Sequence, residues 1–126
     1  MMPSNFLVGC AVLTATLAYA APAAANDTMR GAALYQVQCA ACHAPDFNGV
    51  GPRHRGVVGR MAGAVPGFAY SPALKNFGMV WSDALLDQWL ADPETLVPGQ
   101  RMGVNVPEGR DRADLIAFLK KLSAKE

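Results

Sequence analysis

Neither sign of charge predominates in this chain: 11 Lys and Arg stand against 10 Asp and Glu over 126 residues. It has no polybasic arm or stripe, so it lacks the electrostatic footprint of a nucleic-acid binder. Cysteine and histidine are scarce, three of one and two of the other. A structural zinc site needs four ligands, usually a second cysteine pair or more histidines. Outside one cluster at residues 39–43, only Cys10 and His54 are left to supply them. No stretch alternates apolar and polar residues with a period of two, so no strand is expected. No internal repeat is visible. Charged side chains are missing altogether from residues 1 to 25.

That uncharged segment is apolar and helix-forming from Phe6 to Ala20, followed by the small-x-small patterns Ala18-Tyr19-Ala20 and Ala23-Ala24-Ala25. It reads as a secretory signal peptide over residues 1–25, cut after Ala20 or Ala25, although its start has no Lys or Arg. Two alternatives stay open. One is an uncleaved anchor, since the apolar run is just long enough to span a bilayer. The other is a lipoprotein cleavage box at Leu7-Val8-Gly9-Cys10. All three place residues 26–126 outside the cytoplasm, as a single domain of about a hundred residues. A chain of that size buries a modest core and often needs a staple.

The staple is legible in Cys39-Ala40-Ala41-Cys42-His43, a C-x-x-C-H run that is the attachment signature of a c-type haem. On a helix these three side chains stand at i, i+3 and i+4 and point the same way. Two thiols on one face can bond the two vinyl groups along a porphyrin edge, and the imidazole can reach the iron. The rival readings are a zinc site, a thioredoxin-like redox pair, which lacks its strand–helix–strand context, and a plain disulfide, which leaves His43 without a role.

Around this motif the chain reads as helices joined by long loops. Asn26, Asp27 or Thr28 can cap a first helix running from about Met29 to the cysteine pair. Residues 44–67, rich in Gly, Pro and Arg, read as loop. Within that loop Pro52 has a carbonyl free to accept from His43, and Arg60 is a candidate partner for a haem propionate. Ser71-Pro72 opens a short helix to Asn76. Ser82 and Asp83 open another, with Leu85, Leu86, Trp89 and Leu90 on one stripe, ended by Pro93. A final helix begins near Asp111 and presents Leu115, Phe118, Leu119 and Leu122 on one face. For the second axial position the residues alone offer Met61, Met79, Met102 and His54. His54 is so near His43 in sequence that it is expected on the same side of the haem. Met102 follows the Pro98-Gly99 turn after a long excursion.

The stretches CAACH (39–43), GP (51–52), GR (59–60), PGFAYSPALKNFG (66–78), Trp81, WLADPETLVPGQRM (89–102) and RADLIAFLKKL (112–122) together resemble class I cytochromes c, of the bacterial c2 and mitochondrial type. The resemblance covers nearly all of residues 26–126, in the family's order. It implies an all-α small cytochrome c fold: three main helices, a short helix and long loops wrapped around one covalently bound haem c. It also implies His43 and Met102 as axial ligands and Cys39 and Cys42 as the covalent tethers. Pro52 would accept from His43. Arg60, Tyr70 and Trp81 would surround the propionates, and Gly31, Tyr35, Leu115 and Phe118 would form the contact between first and last helices. Trp89 stands where the mitochondrial type has a tyrosine beside the methionine sulfur, and Leu74 and Val104 also depart from the pattern. Gln38, Glu94 and Thr95 replace part of that type's lysine ring.

The function this implies is a periplasmic one-electron carrier, not an enzyme. It would be a monomer with transient protein partners, a reductase and an oxidase or reaction centre, docking at the haem edge. Arg53, Arg55, Lys75 and Arg101 are the candidates for steering. No nucleic acid is expected as partner, nor a membrane unless the N-terminal segment is retained. The competing functions are a haem-based ligand binder or peroxidase, and a dedicated electron-accepting subunit of a periplasmic dehydrogenase.

Overall fold

A computed structural model describes residues 17–20 and 26–124. Apart from residues 17–20, which are exposed and without regular structure, the signal-peptide segment and Cys10 lie outside the described residues. No described helix is long and apolar enough to cross a membrane.

Helix α1 spans Thr28–Gln38. Of the three candidate caps it is Asp27 that acts: its carboxylate accepts the N–H groups of Met29 and Arg30, both at 2.9 Å, which satisfies two of the helix's orphan donors. The helix stops one residue before Cys39, so the C-x-x-C-H run is not helical as expected. It lies in the turns that follow, although the His43 N–H still donates to the Cys39 carbonyl at 2.9 Å, an i to i+4 spacing. Helix α2 is Pro72–Lys75, capped by the Ser71 hydroxyl, which accepts from Leu74 N–H. Helix α3 is Asp83–Ala91, capped in the same way by Ser82. Pro93 does not merely end it. Asp92 closes α3 and caps a further short helix, α4, Pro93–Leu96, with Pro93 in the first position, where its missing N–H costs nothing. Helix α5 spans Gly109–Ser123 and so begins two residues before Asp111, where it was expected to start. Its N-cap, Glu108, makes no side-chain hydrogen bond, so there was no cap signal to read. The structure thus has two short helices where one was expected. Its only sheet-like pairing among the described residues is an isolated antiparallel bridge, Met61 to Val80.

The core is built where α1 and α3 meet α5. Tyr35 and Leu115 are each 1% exposed, and Leu86, Leu90, Ile116 and Leu119 close around them. Gly31 is the point of closest approach: a Cβ there would lie 2.0 Å from the Asp114 carbonyl oxygen. Two ion pairs, Arg112 to Asp87 and Lys120 to Asp83, both 2.7 Å, run between α5 and α3.

Asp114 locks the crossing electrostatically. Its buried carboxylate accepts the Asp27 backbone N–H at 2.8 Å and the Arg30 guanidinium at 2.6 Å, and Arg30 also pairs with Asp111. The Asp27 N–H, and after it Arg30, hold the Asp114 carboxyl below the usual carboxylate range. A carboxyl depressed by folding contributes stability that is present above its unfolded pKa and lost as pH falls through the folded value. The expected result is a Tm that drops as pH is lowered below 4. Asp114→Asn should lower Tm at pH 7 and flatten that acid limb. Thermal melts of both proteins between pH 7 and pH 2.5 check this, and an unchanged acid slope in the variant would contradict it.

Candidate functional site

One cavity of ≈ 280 Å³ opens between the loops and the α3–α5 core, and every site residue expected from the sequence lines it: Cys39, Cys42, His43, Pro52, Arg60, Tyr70, Trp81, Trp89 and Met102. Most of the remaining wall is apolar, with Val57, Leu86, Leu90, Val106 and Leu119 at its floor. Cys39 and Cys42 are unbridged thiols at its edge. Burial, and then the neighbouring Cys42, pushes the Cys39 thiol up to about 11. Among the described residues no three His, Cys, Asp or Glu side chains gather as a metal-ligating cluster.

His43 is held on two sides. Its Nδ1 lies 2.7 Å from the Pro52 carbonyl. A carbonyl can only accept, so Nδ1 carries the proton and the Nε2 lone pair is left free. Burial lowers the pKa of this imidazole, against a smaller raising effect of the Pro52 bond, so it is the uncharged, ligating form that the site favours. Gly51 lies against the ring: a Cβ there would sit 2.2 Å from Cε1 and 2.5 Å from Nδ1. Gly51 is fixed in turn by its N–H, which donates to the Cys42 carbonyl at 2.8 Å. The Gly-Pro pair is therefore a support for the imidazole as well as a turn.

His54 is beside His43, as its place in sequence led one to expect. The two rings stack with centroids 3.9 Å apart and 17° between their planes. The Nδ1 of His54 is 2.9 Å from the Tyr35 hydroxyl. Burial first, then His43 and Arg60, pushes His54 down to about 3, and burial pushes Tyr35 up to about 12. Both groups are neutral near pH 7.

On another wall, Arg60 and Trp81 are brought together by backbone pairing. Trp81 N–H donates to the Arg60 carbonyl at 2.9 Å, and Gly59 N–H donates to the Trp81 carbonyl at 2.8 Å. The Arg60 guanidinium donates from Nη2 to the Arg53 carbonyl at 2.9 Å and from Nη1 to the Arg55 carbonyl at 3.3 Å. Its Nε is buried with no partner. The Tyr70 hydroxyl accepts the Val65 N–H at 3.1 Å, which leaves its own proton to donate.

Met102 lies on the segment after the Pro98-Gly99 turn, and a short relay sets its position. The Glu94 carboxylate accepts the Gly99 N–H at 2.9 Å and the Gln100 Nε2 at 3.2 Å. Gln100 Oε1 then accepts the Met102 N–H at 2.5 Å. Glu94 and Gln100 had no distinctive sequence signal, because a carboxylate five residues ahead of a glycine matches no general turn pattern. Met61 and Met79 are exposed at 45% and 49% and do not line the cavity, so the structure separates them from the other two ligand candidates.

These residues fit a haem. An apolar cavity suits a flat apolar ring, the thiol pair at its rim suits two thioether bonds, and the buried, partnerless Arg60 Nε suits a carboxylate. Comparisons with known proteins agree. The family model for cytochrome c matches residues 28–123. A cytochrome c2 from Rhodomicrobium vannielii is 44% identical over 117 residues, covering 90% of each chain. A cytochrome c from Euglena viridis is 40% identical over 100 residues, covering 77% of this chain and 98% of its own. Among solved structures, cytochrome cH from Methylobacterium extorquens superposes with a TM-score of 0.72 at 43% identity, over 75% of this chain and 98% of that one. The chain accordingly belongs to the cytochrome c family, with covalently bound haem c as its cofactor and electron carriage, not catalysis, as its work.

Proposed function

We propose that this chain is a periplasmic one-electron carrier, with Cys39 and Cys42 as haem tethers, His43 and Met102 as the two axial ligands, and weakly docking redox proteins as its partners. The observation that carries this reading is the convergence of those four side chains on one cavity, with the Nε2 lone pair of His43 made available by Pro52. The bound haem supplies a one-electron iron couple, and a soft thioether ligand favours the reduced form and raises its potential. The chain's own residues do the rest. Gly51 and Pro52 hold the imidazole, the Glu94–Gln100 relay holds the backbone that carries Met102, and Arg60, Tyr70 and Trp81 offer donors to the propionates. The apolar walls exclude water, and a dry, rigid surround changes little on electron exchange. Both axial positions filled from the chain leave no place for a substrate.

For steering, Arg53, Lys75 and Arg101 are better placed than Arg55, whose charge is paired with Asp46 at 2.5 Å. Docking is therefore expected to be weak and only modestly salt-dependent. The test is a redox titration combined with rates measured against membrane fractions containing a reductase and an oxidase. A single one-electron wave at a well-positive potential, with rapid exchange in both directions, is expected. Peroxide turnover, or stable co-purification with a dehydrogenase, would overturn it. Location is tested by fractionation and N-terminal sequencing, with the new terminus expected at Ala21 or Asn26.

The relay carries its own prediction. Glu94→Ala removes two acceptor contacts from the loop that bears Met102, worth about 1 kcal/mol in all at this exposed site. Exogenous imidazole should then bind the ferric protein about fivefold more tightly, since it competes with a less firmly held thioether. Titration of the ferric spectrum measures this, and an unchanged affinity would remove Glu94 from the account.

A further inference from the structure

We propose that His54 is a positioning and tuning residue for the haem's proximal ligand: its ring, pinned by the Tyr35 hydroxyl, lies face to face on the His43 imidazole, fixes that ring's rotation and stabilises the oxidised state. The inference rests on His43 being the iron's ligand, as argued above.

Three observations carry it. The stack is close and nearly parallel, 3.9 Å between centroids and 17° between planes. His43 is therefore gripped at its edge by Pro52, pressed by Gly51 and faced by His54. The second ring is itself fixed, because its Nδ1 is 2.9 Å from a hydroxyl on a residue only 1% exposed. Tyr35 in turn packs on Phe118 of α5, with ring centroids 5.1 Å apart. A continuous set of rings thus runs from the ligand imidazole to the α1–α5 crossing. Simple packing would be served as well by an aliphatic side chain. A hydrogen-bonded aromatic face does more. An imidazole bound to ferric iron would take a share of positive charge, and the π face stacked on it would attract that charge. The oxidised state gains more than the reduced state, so the potential is lower than it would be with an aliphatic neighbour.

The test uses the holoprotein with His54→Leu, His54→Phe and Tyr35→Phe. His54→Leu keeps an apolar filler and removes the face. It should move the midpoint upward, by about two- to fivefold in the equilibrium constant against a fixed mediator. It should also change the hyperfine-shifted proton resonances of the ferric haem, which report the orientation of the axial imidazole. His54→Phe restores a flat face and should bring the midpoint back toward the native value. Tyr35→Phe frees the His54 ring and should change the hyperfine pattern in the same sense, to a smaller extent. A merely structural role would move Tm and leave midpoint and hyperfine pattern unchanged in His54→Leu. That result overturns the proposal, as does the same result in Tyr35→Phe should His54→Leu not fold. His43→Gly separates the two readings: a native spectrum there would refute the ligand assignment itself, whatever the His54 variants show.

Discussion

Gly31→Ala is expected to destabilise the protein by about 2 kcal/mol and to lower Tm by roughly 8–16 °C. A methyl group at this position would meet the Asp114 carbonyl oxygen at 2.0 Å, its carbonyl carbon at 2.7 Å and the Phe118 Cβ at 3.1 Å. The first two are α5 backbone, so no rotamer change relieves the clash and the helices must move apart. Separating them also strains the Asp114 bonds to Asp27 and Arg30 and the Tyr35–Phe118 contact. Overpacking of this kind costs about 3 kcal/mol at the upper end of its usual range. About 1 kcal/mol is recovered, because alanine is the better helix former. The opposing propensity term makes the test decisive: in an uncrowded helix the same change would stabilise. Thermal melts of the two holoproteins check the sign as well as the size.

Gly51→Ala is expected to damage the site and leave the helical frame intact. The methyl group would overlap the His43 ring, 2.2–2.6 Å from Cε1, Nδ1 and Nε2. Here the obstructing atoms belong to a side chain and can give way, but the imidazole that moves is the proposed ligand. It would have to leave Pro52, the partner that fixes its tautomer. Losing such an orienting partner commonly weakens a metal–ligand bond by about 10–100-fold. Far-ultraviolet dichroism should be nearly unchanged, while the ferric spectrum gains a high-spin component that grows as pH falls and His43 is protonated. Gly109→Ala is the control. A Cβ there comes no nearer than 3.5 Å to its neighbour, the far end of the Arg112 side chain, and the residue does not line the cavity. Its spectrum should match the native one.

These two glycines mark what the chain's one-dimensional pattern can and cannot convey. The C-x-x-C-H run, the capped helices at Ser71 and Ser82 and the apolar face of α5 are local, and each could be read from spacing alone. Gly51 was legible as part of a loop, but its contact with His43 depends on how that loop folds back on Cys42. Arg60 and Trp81 are 21 positions apart and meet through a backbone hydrogen bond between them, with a second from Gly59 to Trp81, that no side-chain pattern encodes. The Glu94–Gln100 relay and the His54–Tyr35 bond are of the same kind, ordinary polar residues given a role by chain geometry. Helix α4 was missed for a different reason. Pro93 signals both the end of one helix and the first residue of the next, and the Asp92 cap that distinguishes them also closes α3.

The central claim, that the chain fills both axial positions of the haem from His43 and Met102, is tested most directly by exposing the reduced holoprotein to carbon monoxide. The native protein should show no spectral change on the timescale of mixing, and Met102→Ala should bind the gas at once. Immediate binding by the native protein, or a Met102→Ala variant whose ferrous and ferric spectra match the native ones, would contradict it.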